Sequence, residues 1–517
     1  MITPTDLAAH TRREVRELRK SGQAQMLSMI SCGITRLRTV GAIRSVSSNS
    51  TVRGALALAG CTGVGAVLIM AASPVLTRLF TPEAFGVIAV YTSIVSVFVT
   101  IGCLRYDLAI LLPEDDETAV SLLVLSLAIL IVICAMLELL VWSMSADIVD
   151  WLRCDTLELY LWTAPIGVLG GGAYQALSCW ALRKEAFGKI AQTKFSQNAG
   201  MVITQISLGG WMSGSPVGLL AGDLVSRFAG IGALLRYSWQ SLSRSDPRLQ
   251  VLAMNAIRYK RFPLYSAPAS LLTAVSTQIP VIMLSRYFGP AVTGWYALMY
   301  RVLRAPSALV GQAAAQSLFA SAAKISRDQE RLRTLTERAA IVLVVIGLPV
   351  FALVVQEGGA IFATLFGSDW RRGGLYAQIL SPWFFVSFVC SPLSNLLTVR
   401  EWQATTLVYS ASECAVIGGC LYAGARYHSD LVAIAMLGFG ACLFSLITIK
   451  RFFEAGCANT GTVLKKLAPL LVPIGLCFAL AELRVGGTGM TPILVRILAF
   501  CIVYLLSVWK LVPWARA

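Results

Sequence analysis

Histidine is nearly absent from this sequence of 517 residues: His10 and His428 are the only two. Metal clusters and acid–base chemistry built on imidazole therefore have almost no material. Cysteine is not scarce, at thirteen, but no CxxC pair occurs and nearly all lie inside apolar stretches. That pattern gives neither a zinc site nor a disulfide framework. Charge is thin as well. Only 14% of residues are charged against 56% hydrophobic, and mean hydropathy is +0.71. A soluble domain of that composition would lack the polar surface to cover itself, so the chain reads as an all-α polytopic membrane protein. The short alternating segments of a β-barrel are missing too.

What is present is a series of long apolar runs. Fourteen spans are expected, the first six near 54–75, 86–104, 119–143, 158–181, 197–213 and 216–235. Six more fall near 264–284, 292–320, 339–356, 375–398, 402–424 and 430–449, with a last pair near 464–481 and 491–509. About twenty residues at 1.5 Å each cross roughly 30 Å of hydrocarbon. Two six-helix lobes, 54–235 and 264–449, are joined by a linker at 236–263, and 450–517 carries the final pair. Residues 1–53 form a basic tail without a signal-peptide core. Ile30, Ile34, Leu37 and Val40 recur between arginines, as in a helix lying on an anionic leaflet. A disordered tail, or a true start at Met26 or Met29, fits the same composition.

Orientation follows from where the cations fall. With the N-terminal tail inside, 32 of the 43 Lys and Arg residues lie on the cytoplasmic side, seven lie outside and four fall within spans. Both termini are therefore expected to be cytoplasmic. The net charge of +16 reflects this bias, and nucleic acid is not an expected partner.

One stretch occurs twice. Leu76-Thr77-Arg78-Leu79-Phe80-Thr81-Pro82-Glu83-Ala84-Phe85-Gly86 is echoed by Leu284-Ser285-Arg286-Tyr287-Phe288-Gly289-Pro290-Ala291-Val292-Thr293-Gly294. Arg, Phe, Pro and Gly match at a constant offset of 208, and each copy joins one span to the next. Six spans separate the copies, so the halves run the same way through the membrane, as a parallel repeat.

Charges inside spans need a reason, since one at mid-bilayer costs about 2.5–3.5 kcal/mol on insertion scales. Arg301 and Arg304 are three residues apart, which places both on one helix face, with Pro306 just beyond. They either contact an anion or pair with acidic groups on neighbouring spans. Asp223 and Arg227, at i and i+4, suit an internal ion pair, or a carboxyl that titrates during transport. Glu138 and Glu413 are the other intramembrane carboxylates, open to ion coupling or to a buried neutral state. Arg496 is expected at a helix contact or at lipid headgroups. Pro165, Gly170–Gly172, Pro349, Pro382 and Pro392 are read as local weak points in helices. Tyr160, Trp162, Trp180, Trp295 and Trp383 suit either an interfacial belt or stacking on sugars.

The second span is followed by Arg105-Tyr106-Asp107-Leu108-Ala109-Ile110-Leu111-Leu112-Pro113-Glu114-Asp115-Asp116-Glu117-Thr118-Ala119. With the Leu76–Gly86 hairpin ahead of it, this resembles the polysaccharide (O-antigen, Wzx-type) flippases of the multidrug/oligosaccharidyl-lipid/polysaccharide exporter superfamily. The matching residues are Arg78, Phe80, Pro82, Gly86, Arg105, Tyr106, Asp107 and Pro113, with Arg286, Phe288, Pro290 and Gly294 in the second copy.

The resemblance implies two lobes around a cavity that opens alternately to each side of the bacterial inner membrane. It implies a polyprenyl-pyrophosphate-linked oligosaccharide as cargo, for O-antigen, capsule or exopolysaccharide. Membrane lipids, a polysaccharide polymerase and a chain-length regulator are the other expected partners, and no cofactor or metal is expected. Guanidinium groups hold phosphate oxygens bidentately, which makes Arg304 and then Arg301 the expected pyrophosphate contacts. A multidrug or cation exporter of the same superfamily is the alternative. It would use carboxylates in the first and seventh spans, and those spans hold neither Asp nor Glu. A membrane glycosyltransferase or polymerase would need a large outside loop or a nucleotide-phosphate motif, and neither occurs.

Overall fold

The computed structural model describes residues 50–212, 214–244, 249–325, 328–400 and 402–468. Most of the basic tail, the two final spans and Arg496 lie outside the described residues. By its contacts the chain divides between Leu58 and Ala59, and nearly everything described belongs to the unit that begins at Ala59.

Among the described residues every regular element is a helix. The N-terminal set is α1 (Ser50–Leu79), α2 (Pro82–Ile101), α3 (Asp116–Leu152), α4 (Ala164–Arg183), α5 (Phe187–Trp211) and α6 (Pro216–Phe228). Linking helices α7 (Ile231–Arg244) and α8 (Leu249–Arg258) follow. The C-terminal set is α9 (Ala267–Phe288), α10 (Pro290–Pro306), α11 (Gln312–Lys324), α12 (Gln329–Phe366), α13 (Arg371–Val399), α14 (Gln403–Ala425) and α15 (Asp430–Ala455), with α16 (Thr460–Leu467) after it. Seven described segments are long and apolar enough to cross a bilayer, among them Pro82–Ile101, Asp116–Leu152 and Gln329–Phe366. The first twelve expected spans fall on helical segments, but 158–181, 216–235 and 292–320 each cover more than one helix.

Local sequence explains where these helices start. Thr81 caps α2 by accepting from the Ala84 amide, and Pro82 fills the first turn, where an amide would go unused. Asp115 caps α3 by accepting from the Thr118 amide at 2.7 Å. The Thr118 side chain and amide hold the Asp115 carboxyl below its ordinary pKa. Ser215 and Asp328 cap α6 and α12 in the same way.

Two sequence expectations change. Pro165 sits in the first turn of α4, after a separate short helix at Glu158–Leu161, so it opens a helix and does not interrupt one. Nor do the three glycines break α4. A β-carbon at Gly170 would meet Phe228 at 2.8 Å, one at Gly171 would meet Val99 at 2.7 Å, and one at Gly172 would meet Leu130 at 2.5 Å. The run lets three neighbouring helices press against the α4 backbone. Pro349, Pro382 and Pro392 do lie inside helices, α12 and α13, where each removes one amide donor.

The two sets share a plan. Helices α3 and α12, of 37 and 38 residues, correspond, and each is followed by a 3₁₀ turn, Asp155–Leu157 and Ser368–Trp370. At 1.5 Å per residue α12 runs about 57 Å, well beyond the hydrocarbon, whereas α3 kinks at Met144, where the backbone leaves the helical region. The two copies of the repeat lie at one end of the bundle, the hairpin end. The linking helices lie at the other, where the Tyr106 hydroxyl donates to the Ala256 carbonyl at 2.9 Å and ties α8 to the N-terminal set.

Candidate functional site

The repeated hairpins touch each other. A β-carbon on Gly86 would fall 1.8 Å from the carbonyl oxygen of Pro290, and one on Gly294 would fall 1.8 Å from that of Pro82. The contact is reciprocal and made of backbone on both sides, so no other residue fits either position while the helices are this close. The repeat is thus a matched pair of surfaces, each lobe offering the first turn of α2 or α10 to the other.

The turns after the long helices complete the seal. The Trp370 indole, 1% exposed, donates to the Thr77 carbonyl at 3.0 Å and packs edge-on to Phe85 at 4.9 Å between ring centres. From the other lobe, the Ser285 hydroxyl donates to the Leu152 carbonyl at 2.9 Å, and the Arg286 guanidinium lies over Trp151 at 5.9 Å. Thr77 and Ser285 are equivalent positions of the repeat, so each hairpin is engaged by the opposite lobe's long-helix end. Sequence reading passed over Trp370; an aromatic residue in an otherwise polar loop was its only signal.

Beneath this seal lie the two arginines of α10. Arg301 is seven residues past Gly294 and Arg304 ten, about 10 and 15 Å along the helix. The Arg301 guanidinium lies 6.0 Å from the Phe85 ring of the other lobe. Arg304 donates to the Tyr300 hydroxyl at 2.6 Å and stacks on that ring at 5.3 Å. Neither makes an ion pair among the described residues. Arg304 and Glu413 line one cavity of about 210 Å³, with Ser276, Tyr296, Tyr300 and Trp383, but no salt bridge joins them. The Tyr296 hydroxyl and Trp383 indole nitrogen are buried there without a protein partner. At about 30 Å³ per water the space holds roughly seven waters, a side pocket too small for an oligosaccharide.

The other candidates fall elsewhere. Asp223 and Arg227 form a bidentate pair at 2.6 and 3.3 Å, each side chain 15% exposed. The pair lies against α4, where a β-carbon on Gly171 would come 3.3 Å from an Arg227 nitrogen. Glu138 is exposed on α3 beside exposed Leu139, Leu140 and Trp142. Of the five aromatic candidates only Trp383 lines the cavity. Trp180 is buried, Trp295 donates to the Asp369 carbonyl, and Trp162 donates to the Leu159 carbonyl.

The second motif organises the end opposite the hairpins. Leu104 and Arg105 both adopt positive φ, at 46° and 63°, and turn the chain sharply after α2. Asp107 is fully buried and accepts from Gln175 at 2.8 Å, while its second oxygen and the Arg105 Nε have no protein partner. Arg183 gathers the rest. It donates to the carbonyls of Ile110, Pro113, Glu114 and Asp115 and pairs with Asp116, which also holds Lys184. The acidic tail of the motif is thus spent on capping and holding its own loop. In the hairpin motif Phe80 is buried over Gly209 and Gly218, Phe288 is half-buried, and Arg78 is exposed.

Two helix sets meeting through a matched pair of hairpins, with unpaired cations below, define a multi-pass, all-helical membrane protein. The chain belongs to the polysaccharide biosynthesis protein family, which matches residues 75–373 and so covers both hairpins. The family expected from the two motifs is borne out. The succinoglycan biosynthesis transport protein ExoT of Rhizobium meliloti (strain 1021) is 26% identical over 302 residues, 57% of this chain and 58% of that protein. The lipopolysaccharide biosynthesis protein WzxC of Escherichia coli (strain K12) is 25% identical over 140 residues, 27% of this chain and 28% of that protein. The chain thus spans less than two thirds of the length of these relatives. Among solved structures, the lipid II flippase MurJ in an inward closed conformation superposes with a TM-score of 0.64 at 12% identity, over 85% of this chain and 98% of that one. An inward-facing multidrug-resistance MATE family transporter gives 0.60 at 14% identity, over 77% and 96%. These likenesses establish the fold.

Proposed function

We propose that this protein turns polyprenyl-pyrophosphate-linked oligosaccharide repeat units from the inner to the outer leaflet of the bacterial inner membrane, as a transporter and not an enzyme. The observation that carries this reading is the pair of unpaired arginines directly beneath the sealed hairpin end. A cation left without a carboxylate at that depth is costly unless a ligand uses it, and guanidinium matches a diphosphate. Two arginines on one helix attract anions and repel cations, which favours lipid-linked glycans over cationic drugs. Family membership and the named relatives support the same cargo class.

In the proposed orientation both termini are cytoplasmic and the hairpin end faces the periplasm. The pyrophosphate enters from the cytoplasmic leaflet and engages Arg304 and Arg301 while the polyprenyl tail stays in lipid between the lobes, 54–235 and 264–449. Release requires the Gly86–Pro290 and Gly294–Pro82 contacts to part and an opposite seal to form. A polysaccharide polymerase and a chain-length regulator act on the released units.

The test is deletion of the gene followed by complementation. Loss of surface polymer, with lipid-linked repeat units stranded on the inner leaflet, is expected. Wild type restores export and Arg304→Ala does not. Unchanged polysaccharide with new sensitivity to cationic drugs would replace this reading with a drug exporter.

A further inference from the structure

A second cavity, of about 610 Å³, lies at the linker end between α12 and α16 and shares no lining residue with the cavity at Arg304. Its walls include Arg333, Glu337, Arg338, Ile341 and Val342 of α12, with Lys466 of α16. Glu337 is nearly buried, its side chain 6% exposed, and accepts from Arg333 at 3.0 Å and from Lys466. That carboxylate ties the two helices together and uses part of both cations. Glu330, also on the wall, stands 3.9 Å from Arg333. Arg338 makes no hydrogen bond or ion pair among the described residues. It is the uncommitted charge of the cavity.

Arg338 also begins a ladder. Val342, Ile346 and Val350 follow at intervals of four, and they are 41%, 43% and 44% exposed. Residues four apart on a helix stack along one side. On a helix that crosses a bilayer, an exposed apolar ladder faces acyl chains, and the cavity joins its upper end to a cationic mouth. A polar mouth opening onto an apolar track has the shape of a phospholipid, not of a soluble anion.

We propose that this cavity binds the phosphate headgroup of one anionic membrane phospholipid. Arg338 holds the phosphate, the remaining N–H groups of Arg333 and Lys466 assist, and an acyl chain lies along Val342, Ile346 and Val350. Basic pockets at helix contacts are a general means of holding such headgroups. The lipid would bridge α12 and α16 beside the Glu337 contact. This proposal does not depend on the transported cargo.

The experiment uses the full-length protein in detergent, with native mass spectrometry and titration of phosphatidylglycerol, phosphatidylcholine or inorganic phosphate. One retained phosphatidylglycerol per chain is expected, displaced by neither of the others. Arg338→Gln should weaken it about tenfold, the usual loss with a charge-assisted contact, and Arg338→Lys less. Arg331→Gln, at an exposed neighbour outside the cavity, should leave it unchanged, and Ile346→Ser should weaken phosphatidylglycerol without altering its preference over phosphatidylcholine. Equal retention by Arg338→Gln, or equal binding of phosphatidylcholine, overturns the proposal and leaves Arg338 as an interfacial anchor. Displacement by inorganic phosphate overturns the lipid as its ligand.

Discussion

The two lobes agree at their hairpins and differ in what they do with arginine. In the N-terminal lobe Arg227 is consumed by Asp223 through two hydrogen bonds and lies against α4. In the C-terminal set Arg301 and Arg304 make no ion pair among the described residues; each lies against an aromatic ring, and Arg304 donates to the Tyr300 hydroxyl. Duplication supplied both lobes with the same closing surface. Among the described residues the unpaired charge beneath it stands on α10 alone. The contact surface is therefore shared by the two sets, and the unpaired charge is not.

The agreement can be broken first. Gly86→Val and Gly294→Val each push a side chain into a backbone carbonyl of the other lobe, and the two should fail alike. Transport should fall at least a hundredfold in each, of the order expected when a required closed state is lost. Cysteine pairs placed across the hairpins should cross-link in wild type and not in either variant. Unequal losses would show that the contact is not reciprocal in action.

The difference comes next. Arg304→Ala should reduce flipping roughly tenfold to a hundredfold, the usual range for a charge-assisted ligand contact. Its melting temperature should stay close to wild type, because no protein carboxylate is stranded. Arg227→Ala should do the reverse, destabilising by about 3 kcal/mol because Asp223 loses its partner. Asp223→Asn in the same chain should recover much of that. Melting curves in detergent separate the two arginines.

The last comparison lies in the hairpins themselves. Phe80 is 3% exposed over Gly209 and Gly218, so Phe80→Ala should cost about 3 kcal/mol. Phe288, half-buried at the matching position, should lose less than half as much. Equal losses would mean that the second hairpin is packed as firmly as the first.

Much of this was legible in the sequence. Hydropathy located the long apolar helices but not the linking helix α8, which lies in the expected linker, and the repeat marked both hairpins. What periodicity could not supply was the partner of each surface. Two matching stretches 208 residues apart say that the halves are related, not that Gly86 meets Pro290 and Gly294 meets Pro82. Trp370 was invisible for the same reason: its worth lies in a contact with Thr77, 293 residues earlier. The glycines of α4 misled because a close-packed glycine and a hinge glycine share the same letter, and only neighbours such as Leu130 and Phe228 tell them apart. Asp223 and Arg227 lay four residues apart and could be paired on paper. Whether Arg301 and Arg304 had partners depended on distant helices, so that question waited for the structure.

A seal whose closest contacts are main chain against main chain carries no titratable group at the point of contact. Its closing strength should be nearly flat across physiological pH and only weakly sensitive to ionic strength. A strong pH or salt dependence of transport would then have to arise at the charges below the seal, and cross-linking of the closed hairpins across a range of buffers would separate the door from the lock.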